Sequence, residues 1–112
     1  MDDIVVTDES TSDGDAGYYP DGSNFGFYIS MPSHGYDNIW LYTKSQITDF
    51  NGAIAADKFA NATIDGAAAT VTASSLTLSD NGDGTFTTNG EITLSLGGAP
   101  VKIVFKGASF YY

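Results

Sequence analysis

Residues 86–96 read FTTNGEITLSL, and this stretch decides the fold. Its even-numbered positions hold apolar or small side chains, and the odd-numbered positions between them are mostly polar. In order, the even positions are Phe86, Thr88, Gly90, Ile92, Leu94 and Leu96. A period of two is typical of a β-strand with one buried face and one solvent-facing face. The stretch therefore predicts an antiparallel β domain.

The residues on either side continue this pattern of strands and turns. The segment DNGDG at 80–84 and the pair Gly97-Gly98 predict tight turns. Val101, Ile103 and Phe105 then form the inward-facing positions of a further strand. The C-terminal third is thus expected to fold as consecutive hairpins.

The alternation changes parity within residues 69–79. Val71 and Ala73 occupy odd positions, whereas Leu76 and Leu78 occupy even positions. A β-bulge at positions 74–75 would place all four apolar side chains on the core face.

The first half of the domain holds two aromatic-rich strands, FGFYISM at 25–31 and IWLYT at 39–43. In the second strand, Ile39 and Leu41 share one face while Trp40 and Tyr42 share the other, so both faces are apolar. Such a strand is central in the domain or carries an exposed aromatic patch. The composition of AIAADKFA at 53–60 favours one short helix or a loop with a helical turn.

These patterns predict one all-β domain over residues 17–112. We expect an antiparallel sandwich or small barrel of six to eight strands with at most one short helix. Residues 1–16 are acidic and are expected to form a flexible arm or tether. Within this arm, the β-branched run at positions 4–6 could pair with a sheet edge in this molecule or in a neighbour.

Charge and composition exclude several classes of function. Fourteen acidic residues face four lysines, and the net charge is -10, so binding to nucleic acid is not expected. The chain has no cysteine, which removes thiolate metal sites and thiol nucleophiles. No stretch is long and apolar enough for a membrane helix. No cofactor is expected.

Residues 66–112 and the front of the domain resemble a known family. The carrying positions are Thr88, Gly90, Ile92 and Leu94 in one strand, the turn Gly97-Gly98, and Pro100, Val101, Phe105 and Gly107 in the next, with DAGYY at 15–19 and FGFY at 25–28. The pattern is similar to small surface lipoproteins of the Bacteroidetes. The resemblance implies an exported, lipid-tethered β-sandwich or lipocalin-like barrel without an established activity. It also implies a location outside the cell or at the outer cell surface. Because Met1 is followed at once by two aspartates, no signal peptide is visible, so the protein is either cytosolic or begins where an export signal has been removed, and we favour the second.

Two candidate chemical sites are weak. Asp80 and Asp83 resemble the start of a calcium loop, and Glu91 falls at the twelfth position, but the residues between them read as strand. A hairpin turn is the better interpretation. His34 is the one histidine of the chain and lies in a predicted loop, so a catalytic role is not expected.

Aromatic side chains are the best binding candidates. These are Tyr18, Tyr19, Tyr28, Trp40, Tyr42, Tyr111 and Tyr112. Rings with a polar tip suit sugar faces and protein interfaces, although the same rings could fill the core or cap a barrel end. The sequence therefore favours a non-catalytic module of the cell envelope that binds a glycan or a protein through surface aromatics. Two alternatives are a structural assembly subunit, in which the N-terminal arm adds to a neighbour's sheet, and an acidic inhibitor of a basic partner.

Overall fold

The computed structural model describes residues 2–112, so Met1, and the expectation that it replaces an export signal, lie outside the described residues. Within residues 2–112 the fold has ten strands and two single-turn 3₁₀ helices. In chain order the strands are β1 (Ile4–Val6), β2 (Asp15–Asp21), β3 (Asn24–Met31), β4 (Tyr36–Thr43), β5 (Gly52–Ala53), β6 (Phe59–Ile64), β7 (Ala67–Ser74), β8 (Thr77–Asp80), β9 (Thr85–Leu96) and β10 (Ala99–Tyr111). The all-β prediction is confirmed.

Seven of these strands close into a barrel in the order β2-β3-β4-β6-β7-β9-β10. The seam between the last strand and the first is a parallel pairing of Tyr111 on β10 with Gly17 on β2. The two open possibilities, sandwich and small barrel, are thereby resolved in favour of the barrel. Strands β1, β5 and β8 extend this wall.

The barrel interior is filled with aromatic side chains. Phe27 lies among them, with its ring centroid 5.0, 6.0, 6.1 and 6.2 Å from those of Tyr18, Phe59, Phe86 and Phe110. Its ring is completely buried. Because the core is packed with rings, the barrel encloses a solid interior in the region of Phe27.

The alternation that decided the fold is confirmed in β9. Phe86, Thr88, Ile92 and Leu94 have no exposed surface. The Thr88 hydroxyl, which would be costly to bury alone, donates to the carbonyl of Ala108 at 2.9 Å. One edge of β9 pairs with β10, and the other edge pairs first with β8 and then with β7.

A glycine lets β7 and β8 share one edge of β9. Gly90 has a φ of +107°, and a Cβ atom at this position would lie 2.2 Å from the carbonyl oxygen of Ser75. Ser75 lies in the gap between β7 and β8. The segment that links β7 to β8 therefore passes so close to β9 at Gly90 that a residue with a Cβ atom would not fit there.

The prediction of a β-bulge at positions 74–75 is wrong. The structure has a break between two strands there, and the register shift falls earlier, between Val71 and Ala73. Leu76 and Leu78 are buried as predicted, but Ala73 is exposed because the shift precedes it. The expected helical segment at 53–60 reduces to the single 3₁₀ turn Ala56–Lys58.

The described part of the N-terminal segment differs from the expected flexible arm or tether, and of the two pairings expected for positions 4–6 the structure shows the one within this molecule. Ile4–Val6 forms β1, which pairs in parallel with β10 of the same chain, and Ile4 and Val6 are buried. The following turn is held by Asp8, whose carboxylate accepts the backbone N–H of Ser109 at 2.7 Å. β1 is thus an added strand at the edge of β10, and its two inward side chains belong to the core.

Candidate functional site

Four aromatic rings lie side by side on the outer face of β2, β3 and β4. Tyr19 and Tyr28 have centroids 6.2 Å apart, Tyr28 and Trp40 are 4.8 Å apart, and Trp40 and Tyr42 are 5.2 Å apart with planes only 3° from parallel. All four are partly buried. We call Tyr19, Tyr28, Trp40 and Tyr42 the aromatic strip.

Two glycines make room for these rings. A Cβ atom on Gly17 would lie 2.2 Å from the Tyr19 ring, and one on Gly26 would lie 3.1 Å from both the Trp40 and the Tyr42 rings. The Tyr19 ring therefore packs flat against the backbone of Gly17, and the Trp40 and Tyr42 rings pack against that of Gly26. The four rings can lie next to one another because the positions between them on β2 and β3 are glycines, which have no side chain.

Each tyrosine hydroxyl of the strip is tied to an acceptor. Tyr19 donates to Asp15 at 2.9 Å and Tyr42 donates to Asp21 at 2.6 Å. The third hydroxyl, on Tyr28, donates to the Asn38 amide oxygen at 2.6 Å. These bonds fix the ring orientations, and they use each phenolic proton within the protein.

The surroundings of the strip hold two tyrosines in the neutral form over a wide pH range. Burial, followed by the hydrogen bond to Asp15 and its charge, raises the pKa of Tyr19 to about 12. Burial and then the hydrogen bond to Asp21 raise the pKa of Tyr42 to about 12 as well. Both hydroxyls therefore remain donors throughout the physiological range.

Stability is expected to fall as the pH rises from about 10 to about 12. In the unfolded chain these tyrosines ionise near their ordinary pKa of 10.0, whereas in the fold they hold their protons to about 12. Within this window the unfolded state has bound fewer protons, so a rise in pH favours unfolding. Unfolding in urea at stepped pH, combined with tyrosinate absorbance, measures both effects.

Matched variants assign this behaviour to the strip. Asp15→Asn should lower the pKa of Tyr19 and Asp21→Asn that of Tyr42, because each removes a negative charge from beside a phenol. Asp57→Asn, in the exposed 3₁₀ turn, should change neither. Ionisation of every tyrosine near pH 10 in the unmodified protein would contradict the hydrogen bonding described above.

The other aromatic candidates lie elsewhere. Tyr18 is a core residue, only 6% exposed, with its hydroxyl 2.6 Å from the Thr43 hydroxyl and accepting the Ile47 N–H at 2.9 Å. It therefore does not belong to the surface set. Tyr111 is 60% exposed and pairs with Gly17, which places it on the outside beside Tyr19. Its proximity contributes to the raised pKa of Tyr19.

Tyr112 lies at the mouth of the barrel and is separate from the strip. Its ring stacks on Phe50 with centroids 4.2 Å apart, and its hydroxyl donates to the Asp80 carboxylate at 2.8 Å. This hydrogen bond, more than burial, raises the pKa of Tyr112. Tyr112 and Phe50 also border a shallow cavity of about 450 Å³.

Of the acidic candidates, Asp80 ends β8 and Asp83 lies in the turn that leads to β9. Asp80 accepts the N–H of Gly82 at 2.9 Å, and Asp83 accepts the hydroxyl of Thr85 at 2.6 Å, which lowers the pKa of Asp83. Glu91 instead pairs with Lys102 at 3.5 Å. Within residues 2–112, no group of three or more acidic, histidine or cysteine side chains is arranged to hold a metal ion.

His34 lies in the exposed 3₁₀ turn Pro32–His34, with its Nδ1 atom 3.1 Å from the hydroxyl of Ser33. Among the described residues there is no helix long and apolar enough to cross a bilayer.

The hydrogen-bonding partners of the strip were missed by sequence reasoning. Asp15 could have been found, because it lies on the same face of β2 as Tyr19. Asp21 could not have been found, because it contacts Tyr42 only when β2 and β4 lie on either side of β3.

Comparison with protein-family models, curated proteins and solved structures finds no match for this chain, so the interpretation of the strip depends on its geometry.

Proposed function

We propose that this protein is a non-catalytic β-barrel module that binds a glycan through the aromatic strip. The observation that carries the proposal is the contiguous run of four partly exposed rings on the outer wall. The three tyrosines among them are held in place by hydrogen bonds from their hydroxyls. Aromatic rings with polar rims suit ligands that have both C–H faces and hydroxyl edges. The module is expected to work outside the cell or at its outer surface.

The surroundings of the strip favour a sugar over a protein partner. Apart from the ring of Tyr111, the neighbouring outward side chains are polar: Asp15, Asp21, Asn38, Asn61 and Thr63. The exposed large hydrophobic residues between positions 2 and 112 are Val5, Tyr111 and Tyr112, so no aliphatic patch accompanies the rings. Protein interfaces commonly have a more apolar buried centre than this.

The geometry of the two carboxylates favours binding over hydrolysis. Asp15 and Asp21 are the first and last residues of β2. At the rise of a strand their Cα atoms are about 20 Å apart. Paired carboxylates that cleave a glycosidic bond are about 5–9.5 Å apart. Each carboxylate here instead orients a tyrosine.

Trp40 is a direct reporter for this proposal because it is the single tryptophan of the chain. We expect its fluorescence to change on titration with at least one member of a panel of neutral oligosaccharides of differing linkage. Tyr42→Ala removes a ring stacked on Trp40 and should weaken the binding about threefold to tenfold, or about 0.5–1.5 kcal/mol.

The control is Tyr112→Ala, which removes an exposed ring at the barrel mouth. It should leave the affinity unchanged. Calorimetry on the same variants gives an independent measure of affinity. A flat response to the whole panel, and to charged sugar oligomers as well, would overturn the glycan proposal. An equal loss in both variants would place the binding site elsewhere.

A further inference from the structure

The hydrogen bonds of the aromatic strip restrict the kind of glycan that it can hold. All three phenolic protons are donated to Asp15, Asp21 and Asn38 within the protein. The phenolic and carboxylate oxygens left for a ligand can only accept, whereas the Trp40 indole N–H and the Asn38 amide can donate. At Asp15 and Asp21 a ligand must therefore supply the hydrogen-bond donors.

The charged groups in direct contact with the strip are both negative. Asp15 and Asp21 stand at its two ends, and the net charge of the chain is -10. Lys44, which follows Tyr42 by two positions, borders a separate cavity of about 590 Å³ together with Lys58. Lys102 is paired with Glu91 on the other side of the barrel seam. An anionic sugar brought to the strip would thus approach carboxylates at short range.

Resting on the proposed function, we propose that the aromatic strip selects glycans without negative charge and prefers amino sugars to neutral ones. The ring faces take the C–H surfaces of the sugar units. The carboxylates at the two ends accept hydrogen bonds from hydroxyl or ammonium groups, and these bonds are strongest for ammonium. Uronic acids and sulfated sugars are disfavoured because their negative charge meets the carboxylates of Asp15 and Asp21.

The raised pKa values of Tyr19 and Tyr42 support this assignment of donors. With a pKa of about 12, each hydroxyl keeps its proton at neutral pH and continues to donate to its carboxylate. Each carboxylate therefore accepts one hydrogen bond from its tyrosine and still has lone pairs free for a ligand.

Three oligosaccharides of one linkage and length test the selection. The probes are cellohexaose, the glucosamine hexasaccharide and the glucuronic acid hexasaccharide, each titrated into the full chain with Trp40 fluorescence as the readout. We expect affinity to be highest for the glucosamine oligomer and at least about tenfold lower for the glucuronic acid oligomer than for cellohexaose. High salt should reduce the differences in affinity among the three oligomers, because it screens exposed charges.

Matched variants separate the local charge from the overall charge of the protein. Asp21→Asn should reduce the preference for the glucosamine oligomer, whereas Asp57→Asn removes the same charge from the exposed 3₁₀ turn and should leave it unchanged. Circular dichroism of both variants checks that the barrel is intact.

The outcomes for selection and for glycan binding are distinct. Binding of the glucuronic acid oligomer as tightly as cellohexaose, or equal effects of the two asparagine variants, would overturn the selection rule while leaving glycan binding in place. A silent Trp40 with all three probes and with the neutral panel would overturn both.

Discussion

Replacing Phe27 with alanine is expected to lower the free energy of unfolding by about 3–5 kcal/mol. Phe27 is completely buried, and its ring contacts Tyr18, Phe59, Phe86 and Phe110. The substitution removes the ring around which the others pack, and the barrel wall limits how far they can close the space. Urea unfolding followed by circular dichroism measures the loss.

Two further variants keep this prediction testable if the alanine variant does not fold. Phe27→Leu retains most of the volume and should cost less than the alanine substitution. Tyr111→Ala removes a ring that is 60% exposed and should change stability by less than about 1 kcal/mol. Similar losses for Phe27→Ala and Tyr111→Ala would show that the interior is not organised around Phe27.

Val6→Asp is expected to lower the free energy of unfolding by about 3–6 kcal/mol. A carboxylate at this fully buried position cannot remain in the core, so β1 should leave the edge of β10. The protein then loses the burial of Ile4 and Val6 together, at about 1.5–3 kcal/mol for each side chain. Urea unfolding again gives the value.

The control introduces the same charge one residue earlier. Val5 faces outward and is 40% exposed, so Val5→Asp should cost less than about 1 kcal/mol. A protease that cleaves after glutamate adds a local readout, because release of β1 should speed cleavage at the exposed Glu9 in Val6→Asp alone. Equal stability and equal cleavage of the two variants would mean that β1 does not contribute to the core.

The strand pattern was predictable wherever apolar residues alternate over a long run. Ile39 and Leu41 point inward while Trp40 and Tyr42 point outward, as the alternation in IWLYT indicated. The exposed aromatic patch was one of two alternatives for this strand, and the structure selects it because both neighbours of β4 lie in the wall of a single-layered barrel. Burial on one side only leaves the other face to solvent.

The N-terminal strand could not be predicted with the same certainty. The run at positions 4–6 has only two inward side chains and lies among acidic residues, so its composition resembles a disordered arm. What decides its structure is the edge of β10 near Ile103 and Phe105, to which nothing local in the sequence points. The gain comes from contacts made about a hundred residues along the chain, as in the bond from Ser109 to Asp8.

By itself, the sequence determined the class of fold, the turns, and the inward side chains of the long strands, because a period of two is a local property of the chain. Of the seven aromatic candidates that it offered, Tyr19, Tyr28, Trp40 and Tyr42 lie together on the outer face. Only the tertiary structure decided that Tyr18 is in the core, that β1 is added at the edge of β10, and that four rings form one strip capped by Asp15 and Asp21. These outcomes depend on which strands become neighbours and in which register. Strand pairing joins residues that are far apart in the sequence, and it is fixed by burial of the complete core, so no local pattern shows it.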